Sequence, residues 1–231
     1  MKILVIIPAY NEEDSILDTV SGLKKLHPEA DVLVVNDCST DRTEAILAEN
    51  GIRHVRLPLN LGIGGAMQCG YRYACFGNYD IAVQMDGDGQ HPAEELDKLL
   101  APILDGTADL SIGSRFVEGE GFQSSAMRRM GIRFLSGLIR LRTGKRILDV
   151  TSGYRAVDLR CAELFSREYA QDYPEPESLV LAARSGAKIC EVPVQMRERQ
   201  GGVSSISFLR SIYYMIKVSL AILTCSAPKK N

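Results

Sequence analysis

No two of the six cysteines (Cys38, Cys69, Cys75, Cys161, Cys190, Cys225) stand at a metal-ligating spacing, and the chain has only three histidines, His27, His54 and His91. A histidine-rich metal cluster is thereby excluded. Several of the cysteines lie inside apolar segments and read as reduced core thiols of a cytosolic protein rather than disulfides or zinc ligands. Neither sign of charge dominates: 27 Lys and Arg face 29 Asp and Glu, a formal net charge of −2. The whole protein therefore carries no nucleic-acid signature. A long hydrophobic run is missing too. The charge-free run after Lys217 extends only from Val218 to Pro228, whereas a membrane-spanning helix needs about 20 mostly apolar residues. Met1-Lys2 leads straight into Ile3-Leu4-Val5-Ile6-Ile7, so no signal peptide is expected. There is no internal repeat, low-complexity tract or flexible linker. What remains, 231 residues with 45% hydrophobic content, suits one sizeable core with a small appendage.

One absence is local. From Gln123 to Arg146 there is no acid, but Arg128, Arg129, Arg133, Arg140, Arg142, Lys145 and Arg146 are present. From Arg199 to Asn231 acid is again missing, while Arg210, Lys217, Lys229 and Lys230 remain. Leu, Ile, Met, Phe and Tyr are interleaved with these cations. The pattern suits an anionic surface or an anionic, greasy ligand, and equally a helix with a solvated basic face.

The first half alternates short β-branched apolar runs (Ile3 to Ile7, Val32 to Val35, Ile52 to Leu57, Ile81 to Met85) with helix-like stretches (Glu13 to His27, Asp41 to Glu49, Gly64 to Phe76, Ala93 to Leu104). A fifth strand is expected at Asp109 to Gly113. Such a rhythm predicts an α/β fold, a mostly parallel Rossmann-like sheet with helices on both faces. Beyond Ser114 the rhythm changes. The basic segment predicts a helix or two, followed by a turn around Asp149 to Arg155. Helices near Asp158 to Tyr169 and Pro176 to Ser185 come next, then a strand from Lys188 to Gln195. An amphipathic helix from about Ile206 to Cys225 closes the chain; it can lie in a membrane interface, pack on its own domain or meet a partner. The division expected is a domain over 1–205 and a C-terminal helix and tail over 206–231.

Four strand ends carry polar motifs. Pro8-Ala9-Tyr10-Asn11-Glu12 offers a ring for a base or sugar. Asn36-Asp37-Cys38-Ser39-Thr40-Asp41 places Asp37 to accept from a nucleobase or ribose, or to cap a turn, with Ser39 or Asp41 capping the next helix. Asn60-Leu61-Gly62-Ile63-Gly64-Gly65 is a glycine-rich helix entry that can approach a phosphate; it lacks the Lys of a P-loop. Asp86-Gly87-Asp88-Gly89-Gln90-His91 is an acidic turn that can hold a hard divalent cation with positions left open, or can simply be solvated. Strand ends are where an open α/β sheet binds ligands. Together they read as a nucleotide-plus-metal crevice.

This ordered set, continued by Gly-Ser-Arg-Phe at 113–116 and Asp-Val-Thr-Ser-Gly-Tyr-Arg at 149–155, resembles the family 2, GT-A-type inverting glycosyltransferases, and among them the dolichyl- and polyprenyl-phosphate sugar synthases. The likeness runs from Ile3 to about Ser205. It implies that Pro8, Ala9, Tyr10, Glu12, Asp37 and Gly62 serve the nucleoside end of a UDP- or GDP-sugar. Asp86 would face its sugar and diphosphate, and Asp88 with Gln90 would hold Mg²⁺ or Mn²⁺. Arg115 and Arg128 would meet the phosphate of a lipid acceptor, and Arg199 the donor diphosphate. A phosphate acceptor is already ionised, whereas a sugar hydroxyl needs a base. For that alternative, a glycan or lipid-linked saccharide acceptor, Asp149 is the candidate; its other role would be to orient Arg155 or cap the turn. A third reading is an inactive nucleotide-sugar binder recruiting a small membrane-protein partner. The place implied is cytoplasmic, peripheral at the cytoplasmic membrane face. Two positions depart from the lipid-phosphate pattern: Ile132 stands four residues after Arg128 where a serine is common, and Gly202-Val203-Ser204-Ser205 replaces a Gly-x-Ser-Lys ending.

Overall fold

The structure, a computed structural model, describes residues 1–118, 126–197 and 208–225, with the backbone alone at 126 and 208–212. Among the described residues seven strands form one sheet: β1 (Ile3–Ala9), β2 (Asp31–Asn36), β3 (His54–Arg56), β4 (Ile81–Gln84), β5 (Leu110–Ser114), β6 (Arg155–Asp158) and β7 (Ile189–Pro193). Their spatial order is β3-β2-β1-β4-β6-β5-β7. All neighbours run parallel except β6, which is antiparallel to both β4 and β5. The fold class is thus the α/β architecture expected.

Burial on both faces explains the continuous apolar strands. In β1, Leu4 and Ile6 point to one face while Val5 and Ile7 point to the other, and all four are fully buried. On the first face lie α3 (Gly62–Phe76), α6 (Leu159–Arg167), α5 (Ala126–Thr143), α7 (Pro174–Arg184) and α8 (Phe208–Thr224). The second is covered by α1 (Ile16–Leu26), α2 (Thr43–Glu49) and α4 (Leu96–Leu104), the last preceded by a single 3₁₀ turn, Ala93–Glu95.

The basic segment forms one helix, α5, not two. The C-terminal helix packs on its own domain, against α5 and α7; the expected boundary at 205/206 lies outside the described residues. The expectation that the structure corrects most is the turn over 149–155 followed directly by a helix. Arg155–Asp158 is instead strand β6, wedged between β4 and β5 with Gln84 opposite Arg155. Its four residues show only two apolar side chains, and Asp158 accepts from Cys161 N at 2.8 Å to cap α6.

The chain passes from β3 at one edge, through α3, to β4 on the far side of β1. That reversal opens a crevice beyond the carboxyl ends of β1 and β4, the place where open α/β sheets bind ligands.

Candidate functional site

A cleft of about 250 Å³ occupies that crevice, lined by Pro8, Ala9, Tyr10, Glu12, Asp37, Ile63, Ala66, Asp86, Gly87 and Asp88. Six of the eight residues expected at the nucleotide line it: Pro8, Ala9, Tyr10, Glu12, Asp37 and Asp86. Gly62 does not, and Arg199 lies outside the described residues. Ile63, Ala66 and Gly87 line the cleft as well; Ile63 and Gly87 fall inside the glycine-rich and acidic motifs without a polar side chain to single them out, and Ala66 lies outside any motif.

The loops after β1 and β2 are laced together, which fixes the cleft's mouth. Asn11, in the left-handed region at φ 55°, donates its N–H to Ser39 Oγ at 3.0 Å, and its Oδ1 accepts from Thr40 N at 2.8 Å. Glu12 N donates to Thr43 Oγ1 at 2.9 Å, and Asp41 accepts from both Glu13 N and Thr43 N. Tyr10 is left about half exposed, its ring presented to the cleft.

Asp37 takes the turn-capping role of the two expected of it. Its carboxylate accepts from Leu61 N (2.7 Å) and Gly62 N (2.8 Å), holding the entry of α3, while the residue also lines the cleft. Gly62 takes φ +74°, a left-handed conformation that glycine adopts at no steric cost. Gly64 answers to packing rather than to a phosphate. A Cβ there would stand 1.9 Å from the carbonyl oxygen of Ala170, and its N–H donates to Gln171 O.

The acidic turn is pinned from below. Asp88 Oδ1 accepts from Gln90 N at 3.0 Å, Gly89 sits at φ +76°, and Gln90 O accepts from Arg197 N. His91 is buried and stacked on Tyr154, with ring centroids 4.8 Å apart. Its Nδ1 accepts from Asp86 N at 2.9 Å, so the ring proton belongs on Nε2, which faces Asp86 Oδ2 at 3.6 Å. Burial depresses the His91 pKa to about 4, with Asp88 opposing and Arg115 adding to the shift. The ring is therefore neutral at physiological pH. Gly153, on the loop before β6, lies close against this turn: a Cβ there would be 3.2 Å from both Asp86 carboxylate oxygens and from Gln84 Nε2.

Asp88, on the cleft lining beside Asp86, offers a hard carboxylate oxygen and Gln90, two residues on, an amide oxygen, donors that fit Mg²⁺ or Mn²⁺, although Gln90 itself does not line the cleft. Among the described residues no three of His, Cys, Asp or Glu gather into a closed metal cage. An open site of this kind leaves room for diphosphate oxygens.

Arg115, at the end of β5, is buried against Asp149. Arg115 Nε donates to Oδ2 at 2.7 Å and Nη2 to Oδ1 at 2.8 Å, with Arg115 N adding a third bond at 3.2 Å. Asp149 has no solvent exposure and does not line the cleft. This corrects two expectations. Asp149 orients Arg115, not Arg155, and both of its oxygens are engaged where a general base would need one turned to the acceptor. Arg155 is held by the Ser152, Glu175 and Val150 carbonyls and by Ser178 Oγ. Arg128, exposed at the first turn of α5, has its pKa lowered by desolvation and by the neighbouring charge of Arg115. Ile132, one turn on from it, is buried in the core, so no hydroxyl stands there. Glu175, on α7, is a carboxyl that the sequence analysis did not single out; burial raises its pKa, with Arg155 opposing and Asp86 adding to the rise.

A family model described as Glycosyl transferase family 2 matches residues 4–172. Undecaprenyl-phosphate mannosyltransferase of Micrococcus luteus is 38% identical over 216 residues, covering 90% of this chain and 88% of the relative. Polyprenol monophosphomannose synthase of Mycolicibacterium smegmatis is 34% identical over 228 residues, covering 94% and 86%. Among solved structures, glucosyl-3-phosphoglycerate synthase from Mycobacterium tuberculosis in complex with Mn²⁺ and UDP-glucose superposes with a TM-score of 0.73 at 23% identity, covering 99% of this chain and 80% of that one. At that identity the likeness is one of fold.

Proposed function

Because the chain belongs to glycosyl transferase family 2, we propose that it moves a sugar, mannose foremost, from a GDP- or UDP-sugar to the phosphate of a polyprenyl lipid at a membrane surface. It is a glycosyltransferase with the GT-A fold. The observation that carries the reading is the single cleft in which Tyr10 and Asp37 meet Asp86 and Asp88. The names of the two bacterial relatives support mannose and a polyprenyl-phosphate acceptor.

In this reading the nucleoside lies against Tyr10 and Asp37, with the Asn11–Ser39 lacing keeping the mouth in shape. Asp86 turns to the sugar side. Asp88 with Gln90 would hold Mg²⁺ or Mn²⁺, which when bound supplies Lewis-acid stabilisation of the departing diphosphate. The Mn²⁺ of the structural neighbour supports a divalent ion. Arg115, held rigid by Asp149, and Arg128 orient the acceptor phosphate and screen its charge, which an already ionised nucleophile needs more than a base. Attack from the face opposite the nucleotide inverts the anomeric centre. The engaged carboxylate of Asp149 speaks against the hydroxyl-acceptor alternative.

The test is incubation of the purified chain with polyprenyl phosphate and a panel of GDP-mannose, UDP-glucose and UDP-N-acetylglucosamine, with Mg²⁺ or Mn²⁺. Lipid-linked mannose is the expected product. Donor binding by calorimetry without lipid-linked product from any donor would overturn the acceptor assignment.

A further inference from the structure

The strongest feature that the cleft leaves unused is the outer face of the α5–α8 pair. On α5, Met127, Met130, Phe134 and Leu141 are exposed, with Phe134 the least so at 53%. Their spacing of three, four and seven residues keeps them on one side of a helix. On α8, Tyr213, Ile216, Leu220 and Leu223 repeat the pattern at spacings of three, four and three, each at least 43% exposed. The opposite sides of both helices enter the core through Ile132, Leu135 and Ile139 and through Val218 and Ile222.

The two stripes face the same way. A Cβ on Gly131 would meet Met215 Sδ at 3.3 Å, and Arg142 Nη2 donates to Cys225 O at 3.0 Å, so the helices run parallel and in contact. At 100° per residue, the α5 stripe lies about a quarter-turn from the Gly131 contact line, on the side away from the core. Counted from Met215 with the opposite sense, the α8 stripe falls on that same side. The result is a two-helix apolar face, broader than the single scattered side chains that a soluble surface ordinarily shows.

Its occupant is indicated by charge. Arg133 and Arg140 are exposed along the free edge of α5, and no acid occurs from Gln123 to Arg146 or from Arg199 onward. An apolar face on two helices that carry no acid of their own, edged by Arg133 and Arg140 and with the nearby Asp172 ion-paired to Lys217, matches an anionic bilayer interface, where apolar side chains enter the headgroup boundary and basic ones meet the lipid charge. We propose that the α5–α8 face is a docking surface for anionic membrane, on which the helices lie flat without crossing. No described helix is long and apolar enough to span. The proposal goes beyond the acceptor assignment, because vesicles without polyprenyl phosphate are enough to examine it.

The experiment is flotation of the full chain with vesicles of phosphatidylcholine alone or mixed equally with phosphatidylglycerol, at low and high salt. Binding is expected on the anionic vesicles, at least about tenfold weaker on the zwitterionic ones and weaker in high salt. Phe134→Glu with Leu220→Glu is expected to lower binding at least about tenfold. Arg133→Glu with Arg140→Glu is expected to abolish the preference for anionic lipid. Phe76→Glu, at an exposed site on the end of α3, serves as control and should bind like the parent. Circular dichroism confirms that each variant is folded, and sugar transfer to a short-chain, water-soluble acceptor should persist in the Phe134/Leu220 variant. Equal flotation of that folded variant and the parent would overturn the proposal. So would no flotation of the parent, or a concentration-dependent dimer that the same substitutions dissolve, which would assign the face to a second copy.

Discussion

Arg115 and Asp149, 34 residues apart in sequence, form a bidentate ion pair with bonds of 2.7 and 2.8 Å, buried at the carboxyl end of β5. A buried pair of this kind adds little net stability over apolar packing, but removing one partner leaves the other charge stranded. The geometry gives Asp149 a positioning role, and it separates that role from general-base chemistry.

Asp149→Asn is expected to cost about 3–5 kcal/mol of stability, because Arg115 loses its counter-charge in a buried site. Acceptor use should suffer with it, since Arg115 is no longer held in one rotamer. Donor binding should change less than about threefold, because Asp149 does not line the cleft. Chemical denaturation with calorimetric titration of GDP and UDP checks all three. Weakened donor binding with unchanged stability would contradict the positioning role.

Asp88→Asn isolates charge from shape. The amide oxygen can still accept from Gln90 N, so the turn and the melting temperature should be preserved. Turnover should fall about 10²–10³-fold, the scale on which removal of one electrostatic stabiliser is felt. Chelation of divalent ions should do the same to the parent chain. Steady-state transfer at saturating donor is the measurement.

The parallel half of the fold was legible because Ile3–Ala9 and Ile81–Gln84 are buried on both faces and so read as unbroken apolar runs. The cleft was legible because its polar residues sit where those runs end. β6 was not legible. A strand of four residues with Arg155 and Asp158 at its ends carries no periodic signal, and Arg155 is buried only because carbonyls contributed by α7 and the preceding loop accept its protons. The partner of Asp149 was misassigned for a similar reason: Arg155 is near in sequence, while Arg115 is brought in by the antiparallel pairing of β5 with β6. Gly64, in the glycine-rich helix entry, reads as ligand-facing, and only tertiary contacts reveal what it and Gly153 clear. Nothing described bears on Arg199.

Those two glycines should respond differently to alanine. At Gly64 the new Cβ would meet backbone at 1.9 Å, which cannot swing aside, so the loss should reach at least the upper end of the roughly 1–3 kcal/mol typical of overpacking. At Gly153 the contact is with the Asp86 carboxylate and Gln84 amide at 3.2 Å, groups that can shift by a few tenths of an ångström. Gly153→Ala should therefore fold, with turnover falling about tenfold or more because Asp86 is displaced from its place in the cleft. Thermal unfolding and transfer assays of the two variants side by side decide the matter; equal destabilisation would contradict the assignment of Gly153 to the acidic turn.

His91 gives a pH signature whose sign follows from its depressed pKa of about 4 in the folded chain, against about 6.5 when exposed. Between these values the unfolded chain binds a proton that the folded chain refuses, so stability rises with pH across that window and is fully present above it. Acidification from pH 7 to pH 5, without added metal, should remove about 2 kcal/mol through this residue. Protonating Nδ1 would also break the bond from Asp86 N that shapes the acidic turn. His91→Gln removes the titration, so its stability should vary less between pH 7 and pH 5 than that of the parent, although it should be lower at pH 7 for loss of the stack on Tyr154. Urea unfolding at the two pH values supplies the four midpoints needed. A parent stability that is flat or rising on acidification would refute a buried, neutral His91.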